Sequence, residues 1–125
     1  MRVLVIDDHP LIHEIMPAVL ARALGEVAVH TEATLEAGLA RAAAEPPDLV
    51  LLDLGLPGCE GIDSMARFRM RFPELPVVVI SASSDRELVL GALDAGAIGY
   101  VPKTLKPQMM IAAFKAIAAG GMHVR

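Results

Sequence analysis

Five short apolar runs punctuate the chain: Val3-Leu4-Val5-Ile6, Val27-Ala28-Val29, Leu49-Val50-Leu51-Leu52, Val77-Val78-Val79-Ile80 and Ile98-Gly99-Tyr100-Val101. Four of the five are continuous rather than alternating, the pattern of strands covered on both faces. Their first residues lie 24, 22, 28 and 21 positions apart. Each gap holds one helix and two short loops, the minimum for a right-handed crossover between parallel strands.

The gaps have helical periodicity. Between Pro10 and Leu24, residues Leu11, Ile12, Ile15, Val19, Leu20 and Ala23 fall on one stripe. Residues 34–44 are alanine-rich around Leu35 and Leu39, and Pro46-Pro47 ends them. Residues 62–72 place Ile62, Met65, Phe68 or Arg69, and Phe72 on one stripe ahead of Pro73. Ser84-Asp85-Arg86-Glu87 has capping-box spacing before Leu88, Val89, Leu90 and Leu93, with Gly96 as the stop. Pro107 opens a last helix through Met110, Ile111, Phe114 and Ile117, with Gly120-Gly121 as its expected end. Pro17 falls inside the first helix, where a kink or an irregular turn is expected. The expectation is a (βα)₅ doubly wound α/β domain with a five-stranded parallel sheet.

Composition narrows the class. At 125 residues and 54% hydrophobic content, the chain suits one domain with its own core. Its folded surface should be roughly 6,400 Å². No apolar run approaches the ~18 residues of a membrane span, and charge arrives after four apolar residues at Asp7-Asp8, unlike a signal peptide. The single Cys59 excludes an internal disulfide and a cysteine zinc cluster, so a cytoplasmic location is expected. With 15 acidic and 11 basic residues, no Lys/Arg cluster and only four aromatic rings, this domain lacks the footprint of a nucleic-acid binder.

Ligands of open parallel sheets sit beyond the carboxyl ends of the strands, where strand order reverses. The residues at those ends are Asp7-Asp8, His30-Thr31, Asp53, Ser81 and Lys103. Three carboxylates sharing a cleft repel one another unless protonated or neutralised by a cation. A hard divalent ion with oxygen ligands answers that, and Mg²⁺ takes one or two carboxylates plus waters and a phosphate oxygen. A metal, an ammonium and a hydroxyl around one carboxylate would stabilise a transferring phosphoryl group, with the carboxylate as nucleophile.

Four segments, in order and each at a strand end, resemble the receiver domain of bacterial two-component response regulators. They are Val5-Ile6-Asp7-Asp8-His9-Pro10, Leu51-Leu52-Asp53-Leu54-Gly55-Leu56-Pro57-Gly58, Val79-Ile80-Ser81-Ala82 and Gly99-Tyr100-Val101-Pro102-Lys103. The resemblance covers essentially the whole chain and implies a flavodoxin-like, CheY-like sheet of order 2-1-3-4-5. It implies that Asp53 accepts a phosphoryl group from the phosphohistidine of a sensor histidine kinase. Asp8, Asp53 and the backbone carbonyl of Gly55 would bind Mg²⁺ or Mn²⁺, with Asp7 helping through water. Lys103 would pair with Asp53 and then the phosphate, Ser81 would hydrogen-bond a phosphoryl oxygen, and Tyr100 would turn inward after it. That movement would reshape the face of helix 4, strand 5 and helix 5, with self-association on phosphorylation. The only reactions implied are self-phosphorylation from a phosphodonor and self-dephosphorylation, not enzymatic turnover.

The pattern departs from many receivers at Thr104, where they carry a cis-proline; here the proline is Pro102. Gly55 offers no side chain to an attacking water. Gly-Tyr at 99–100 and Ala-Ala-Gly-Gly at 118–121 resemble receivers joined to LuxR-type helix-turn-helix output domains. On that reading residues 1–120 form the receiver and 121–125 begin a tail or linker toward a DNA-binding domain. A stand-alone receiver acting by protein–protein binding is the alternative, and a flavin or cobalamin carrier on the same fold a weaker one: Asp7-x-His9 partly matches a cobalamin loop, but Ile12 stands at its glycine position. His9, His13, His30 and His123 lack ligand spacing and are expected on the surface or in packing. Met65, Met70, Met109 and Met110 are expected to fill the core, and Cys59 to be exposed.

Overall fold

The structure, a computed structural model, describes residues 1–83 and 85–122. Five strands form one parallel sheet: β1 (Arg2–Ile6), β2 (Ala28–Glu32), β3 (Leu49–Asp53), β4 (Val77–Ser81) and β5 (Gly99–Pro102). Their spatial order is β2-β1-β3-β4-β5. The helices are α1 (Pro10–Leu24), α2 (Leu35–Ala44), α3 (Ile62–Arg71), α4 (Arg86–Asp94) and α5 (Pro107–Ile117). The accessible surface of 6,466 Å² lies close to the value expected for one compact domain of this mass.

Alternation along the strands explains the two-sided core. Leu4, Ile6, Val50, Leu52, Val77 and Val79 meet Leu35, Leu39, Met65, Phe68 and Ala92, which places α2, α3 and α4 on one face. Val3, Val5, Leu49, Leu51, Val78 and Ile80 meet Ile12, Met16, Val19, Leu20, Met110 and Phe114 of α1 and α5 on the other. Every residue of β3 and β4 is buried, so these runs carry no polar face. The edge strand β2 is half-buried and ends in polar residues, so its apolar signal is short.

Several expectations need correction. Leu11, Leu90, Leu93, Met70 and Met109 are exposed, while Met65 and Met110 fill the core as expected. The apolar stripes of α1 and α4 are therefore wider than the area the sheet covers. Cys59 is half-buried and packs against the core cluster of α2, α3 and α4. α1 runs through Pro17 as one helix, although Pro17 has no N–H for the His13 carbonyl. Helical winding continues past Ile117 as a π-type turn from Ala118 to Met122, so Gly120-Gly121 does not end it. Asp85 is the N-cap of α4 without a side-chain capping bond; Ser84 of the expected capping box, and His123, lie outside the described residues.

Gly38 sets how closely α2 sits on the sheet. A Cβ there would stand 2.7 Å from Ile6 Cγ1 and closer still to Ile6 Cδ1, and Ile6 is itself fully buried. Overpacking costs about 1–3 kcal/mol, whereas Gly→Ala in a helix returns only about 1 kcal/mol. Gly38→Ala is therefore expected to lower stability by about 1 kcal/mol in urea denaturation. Adding Ile6→Val, which removes the clashing methyl, should recover part of that loss in a double-mutant cycle. A Gly38→Ala protein more stable than wild type would sink this account.

Candidate functional site

The chain crosses the sheet at β1 and β3: β2 lies on one side of β1 and β3 on the other. The loops leaving β1 and β3 diverge there, and their first residues face one another. Asp7 follows β1, its N–H donating to the Glu32 carbonyl at 2.9 Å, which fixes it as an extension of the sheet. Asp53 closes β3 opposite Ile80 of β4. Lys103 follows β5, its N–H bound to the Ser81 carbonyl at 2.7 Å. All peptide bonds among the described residues are trans, consistent with Thr104 in place of the proline of other receivers.

A short antiparallel ribbon, Gly55–Leu56 against Cys59–Glu60, follows Asp53 directly. Pro57 followed by Gly58 at φ +80° is the residue pair a type II turn favours. Buried Leu54 and Leu56 anchor the loop, and the Gly61 N–H closes it on the Leu54 carbonyl at 2.7 Å. Its effect on the site is direct: the Gly55 N–H donates to Asp53 Oδ1 at 3.0 Å and holds that carboxylate.

Asp7 and Asp53 are 0% and 1% exposed, a depth at which acids normally require partners. Lys103, its side chain 10% exposed, places Nζ 2.7 Å from Asp7 Oδ2 and 3.2 Å from Asp53 Oδ2. One ammonium thus bridges two carboxylates, and Asp8 adds a third. Burial pushes the Asp53 carboxyl up from its ordinary range, and the nearby Asp7 charge adds to this. The Gly55 N–H and the Lys103 ammonium oppose the rise without cancelling it. Asp7 Oδ2 and Asp53 Oδ2 have Lys103, and Asp8 Oδ1 has His9, as their ion-pair partners, and the three atoms are buried.

These observations fit a divalent cation. The ionised cluster holds two negative charges more than Lys103 neutralises, and its donors are the hard oxygens that Mg²⁺ selects. Asp7, Asp8, His9 and Asp53 each offer a ligand atom within 4.8 Å of the others. His9 lies on the surface, as expected, but it also reaches the acidic cluster. Its Nδ1 sits 2.6 Å from Asp7 Oδ1 and 3.3 Å from Asp8 Oδ1, inside the acidic cluster. No motif spacing signals this, because the contact depends on the turn after β1. His13 also closes on the site, its Nε2 donating to the Asp7 carbonyl. His30 and Glu32 do not join it; both are held by Arg41 at the sheet edge.

On the β4–β5 side, Ser81 is 5% exposed and its Oγ accepts the Ser83 N–H at 3.1 Å. The Tyr100 hydroxyl donates to the Ser83 carbonyl at 2.6 Å. Ser81 and Tyr100 are therefore joined through the backbone of one residue. Above them lies an open cleft of about 430 Å³ lined by Asp53, Gly55, Ser81, Leu88 and Lys103, among others.

Fold and cleft together define a doubly wound α/β domain with an acidic site at its topological switch point. Residues 3–115 match the family of the response regulator receiver domain, and the chain belongs to that family. It is 34% identical over 124 residues to the transcriptional activator protein ExaE of Pseudomonas putida, covering 99% of this chain and 58% of that protein. It is also 34% identical to the nitrate/nitrite response regulator protein NarL of Escherichia coli K12, over 96% of this chain and 56% of NarL. Among solved structures, a LuxR family DNA-binding response regulator from Silicibacter pomeroyi superposes with a TM-score of 0.80 at 35% identity, covering 96% of this chain and 93% of that one. The chain spans just over half the length of the curated relatives ExaE and NarL. No helix among the described residues is long and apolar enough to cross a membrane.

Proposed function

We propose that this receiver takes a phosphoryl group from the phosphohistidine of a sensor histidine kinase onto Asp53. An Asp53 oxygen attacks phosphorus, the P–N bond breaks, and the departing imidazole keeps the electron pair and takes up a proton. Asp8, Asp53 and the Gly55 carbonyl would hold Mg²⁺ or Mn²⁺, with Asp7 assisting through water. When bound, the ion supplies positive charge against the negative charge spread over the transferring phosphoryl oxygens. The observation that carries this reading is Lys103 Nζ bridging Asp7 and Asp53 at the carboxyl ends of β1, β3 and β5.

This chain's residues account for the rest. The Gly55 N–H fixes one Asp53 oxygen and leaves Oδ2 to Lys103 at 3.2 Å. Lys103 is placed to pair with the new phosphate, and Ser81 to hydrogen-bond one of its oxygens in exchange for the Ser83 N–H. Releasing that N–H would disturb the Ser83 carbonyl that holds the Tyr100 hydroxyl, which passes the change to the α4, β5 and α5 face. Leu90, Leu93 and Met109 stand exposed on α4 and α5, apolar surface suited to self-association on phosphorylation. The names of its relatives support an output in transcription through DNA binding; a C-terminal helix-turn-helix domain would supply it, with residues 1–120 as the receiver and 121–125 as the start of the connecting tail. The site of action would be the cytoplasm.

The test is direct phosphorylation. With Mg²⁺ and acetyl phosphate, intact-mass measurement should show one added phosphoryl group, and peptide mapping should place it on Asp53. Wild-type protein that stays unmodified, or is modified elsewhere, would overturn the proposal.

A further inference from the structure

We infer that His9 is a nitrogen ligand of the divalent-cation site, shifting its preference from Mg²⁺ toward borderline ions such as Co²⁺ and Zn²⁺. This rests on reading the acidic cleft as a metal site. His9 Nδ1 contacts all three carboxylates: Asp7 Oδ1 at 2.6 Å, Asp8 Oδ1 at 3.3 Å and Asp53 Oδ2 at 3.8 Å. It also lies 2.9 Å from Lys103 Nζ. The ring thus reaches all three carboxylates from the solvent side of the cluster.

One nitrogen cannot serve all these neighbours by hydrogen bonding. Donating to Asp7 requires a proton on Nδ1, whereas accepting from Lys103 requires its lone pair. With a cation held at Asp8 and Asp53, Nδ1 would give its lone pair to the ion, and Lys103 and Asp7 would keep their direct pair at 2.7 Å. The backbone is arranged for this placement. The His9 N–H donates to Asp7 Oδ1 at 2.8 Å, and His9 is the N-cap of α1 immediately before Pro10 at its first turn. That turn fixes where the imidazole leaves the chain. The second observation pointing to a ligand is Asp53, 1% exposed, whose Oδ2 has Lys103 as an ion-pair partner at 3.2 Å but accepts no hydrogen bond, and which offers a carboxylate oxygen within 4.8 Å of atoms of Asp7, Asp8 and His9. Imidazole suits Co²⁺, Ni²⁺ and Zn²⁺, whereas Mg²⁺ is served by carboxylate, carbonyl and water. One imidazole added to an oxygen cluster therefore changes selectivity more than strength.

The experiment compares wild type with His9→Ala in calorimetric titrations of MgCl₂ and CoCl₂, and in pulsed electron paramagnetic resonance of the Mn²⁺-loaded proteins. His9→Ala is expected to weaken Co²⁺ at least tenfold, about 1.4 kcal/mol, while changing Mg²⁺ by less than about threefold. ¹⁴N coupling to Mn²⁺ should be present in wild type and lost in the variant. If His9 only fills the cluster when no ion is bound, both metals should bind His9→Ala more tightly and wild type should show no His9-dependent nitrogen coupling; that result overturns the inference while leaving the metal site intact. Binding of neither metal, or binding indifferent to Asp53→Asn, would refute the metal-site reading and this inference with it.

Discussion

Asp53→Asn is expected to reduce phosphoryl uptake from acetyl phosphate to background, a loss of at least about 100-fold, because it removes the nucleophile of the proposed transfer. The substitution keeps the side-chain shape, and its Oδ1 can still accept the Gly55 N–H that holds Asp53 at 3.0 Å. Loss of uptake would therefore report chemistry and not collapse. The same variant is expected to be more stable than wild type when divalent cations are chelated. Burial raises the Asp53 carboxyl above its ordinary value, with Asp7 adding to the rise, so the native state binds a proton there more readily than the unfolded chain. The corresponding stability is fully present below the unfolded pKa, about 3.9, and is lost as pH rises through the raised native value. Chelated wild type should therefore lose stability along that climb, whereas Asp53→Asn should lack this component. Mg²⁺ should restore wild type at neutral pH through binding linkage and do much less for the variant. Urea denaturation from pH 4 to 7.5, with chelator or with Mg²⁺, measures all of this. Equal phosphorylation of both proteins, or parallel pH curves, would contradict it.

How much of this was legible in the sequence depended on where each signal resides. After Arg2 at the start of β1, the runs of β1, β3 and β4 carry no polar residue until Asp7 just past β1, Asp53 at the end of β3 and Ser81 at the end of β4, so these stand out as abrupt ends of apolar runs. Lys103 was legible for the same reason after Val101. β2 was only half legible: the apolar Val27-Ala28-Val29 overlaps the observed Ala28–Glu32, but an edge strand needs little hydrophobicity and its remaining residues are polar. Helical periodicity gave the inward direction of α1 and α4 without the width of sheet available to cover them, hence exposed Leu11, Leu90 and Leu93. The ribbon after Asp53 involves two residues per strand, too few for a period. His9 was not legible, because its place is set by the turn that returns its N–H to Asp7 and by Lys103, 94 residues further on.

Lys103→Met should show the second large effect. The side chain is 10% exposed and its ammonium lies 2.7 Å and 3.2 Å from two carboxylates buried almost completely. Methionine keeps most of the stem's volume, so packing changes little. What is lost is the cation that makes burial of Asp7 and Asp53 tolerable. Removing one partner of a buried ionic cluster typically costs about 3–5 kcal/mol, a large fraction of the 5–15 kcal/mol a domain usually has. The loss should be greatest at neutral pH with chelator present. It should shrink in acid, where the raised Asp53 carboxyl is neutral, and shrink again with Mg²⁺, which supplies charge at the same cluster. Phosphoryl uptake should fall with or without that rescue, by roughly 10²–10³-fold, since among the described residues no other ammonium lies beside Asp53 to stabilise the transferring group. Urea denaturation under the four combinations of pH and cation separates charge from packing. A deficit of the same size in all four would mean that Lys103 contributes through its hydrocarbon stem, and that the acidic cluster is held by something other than its charge.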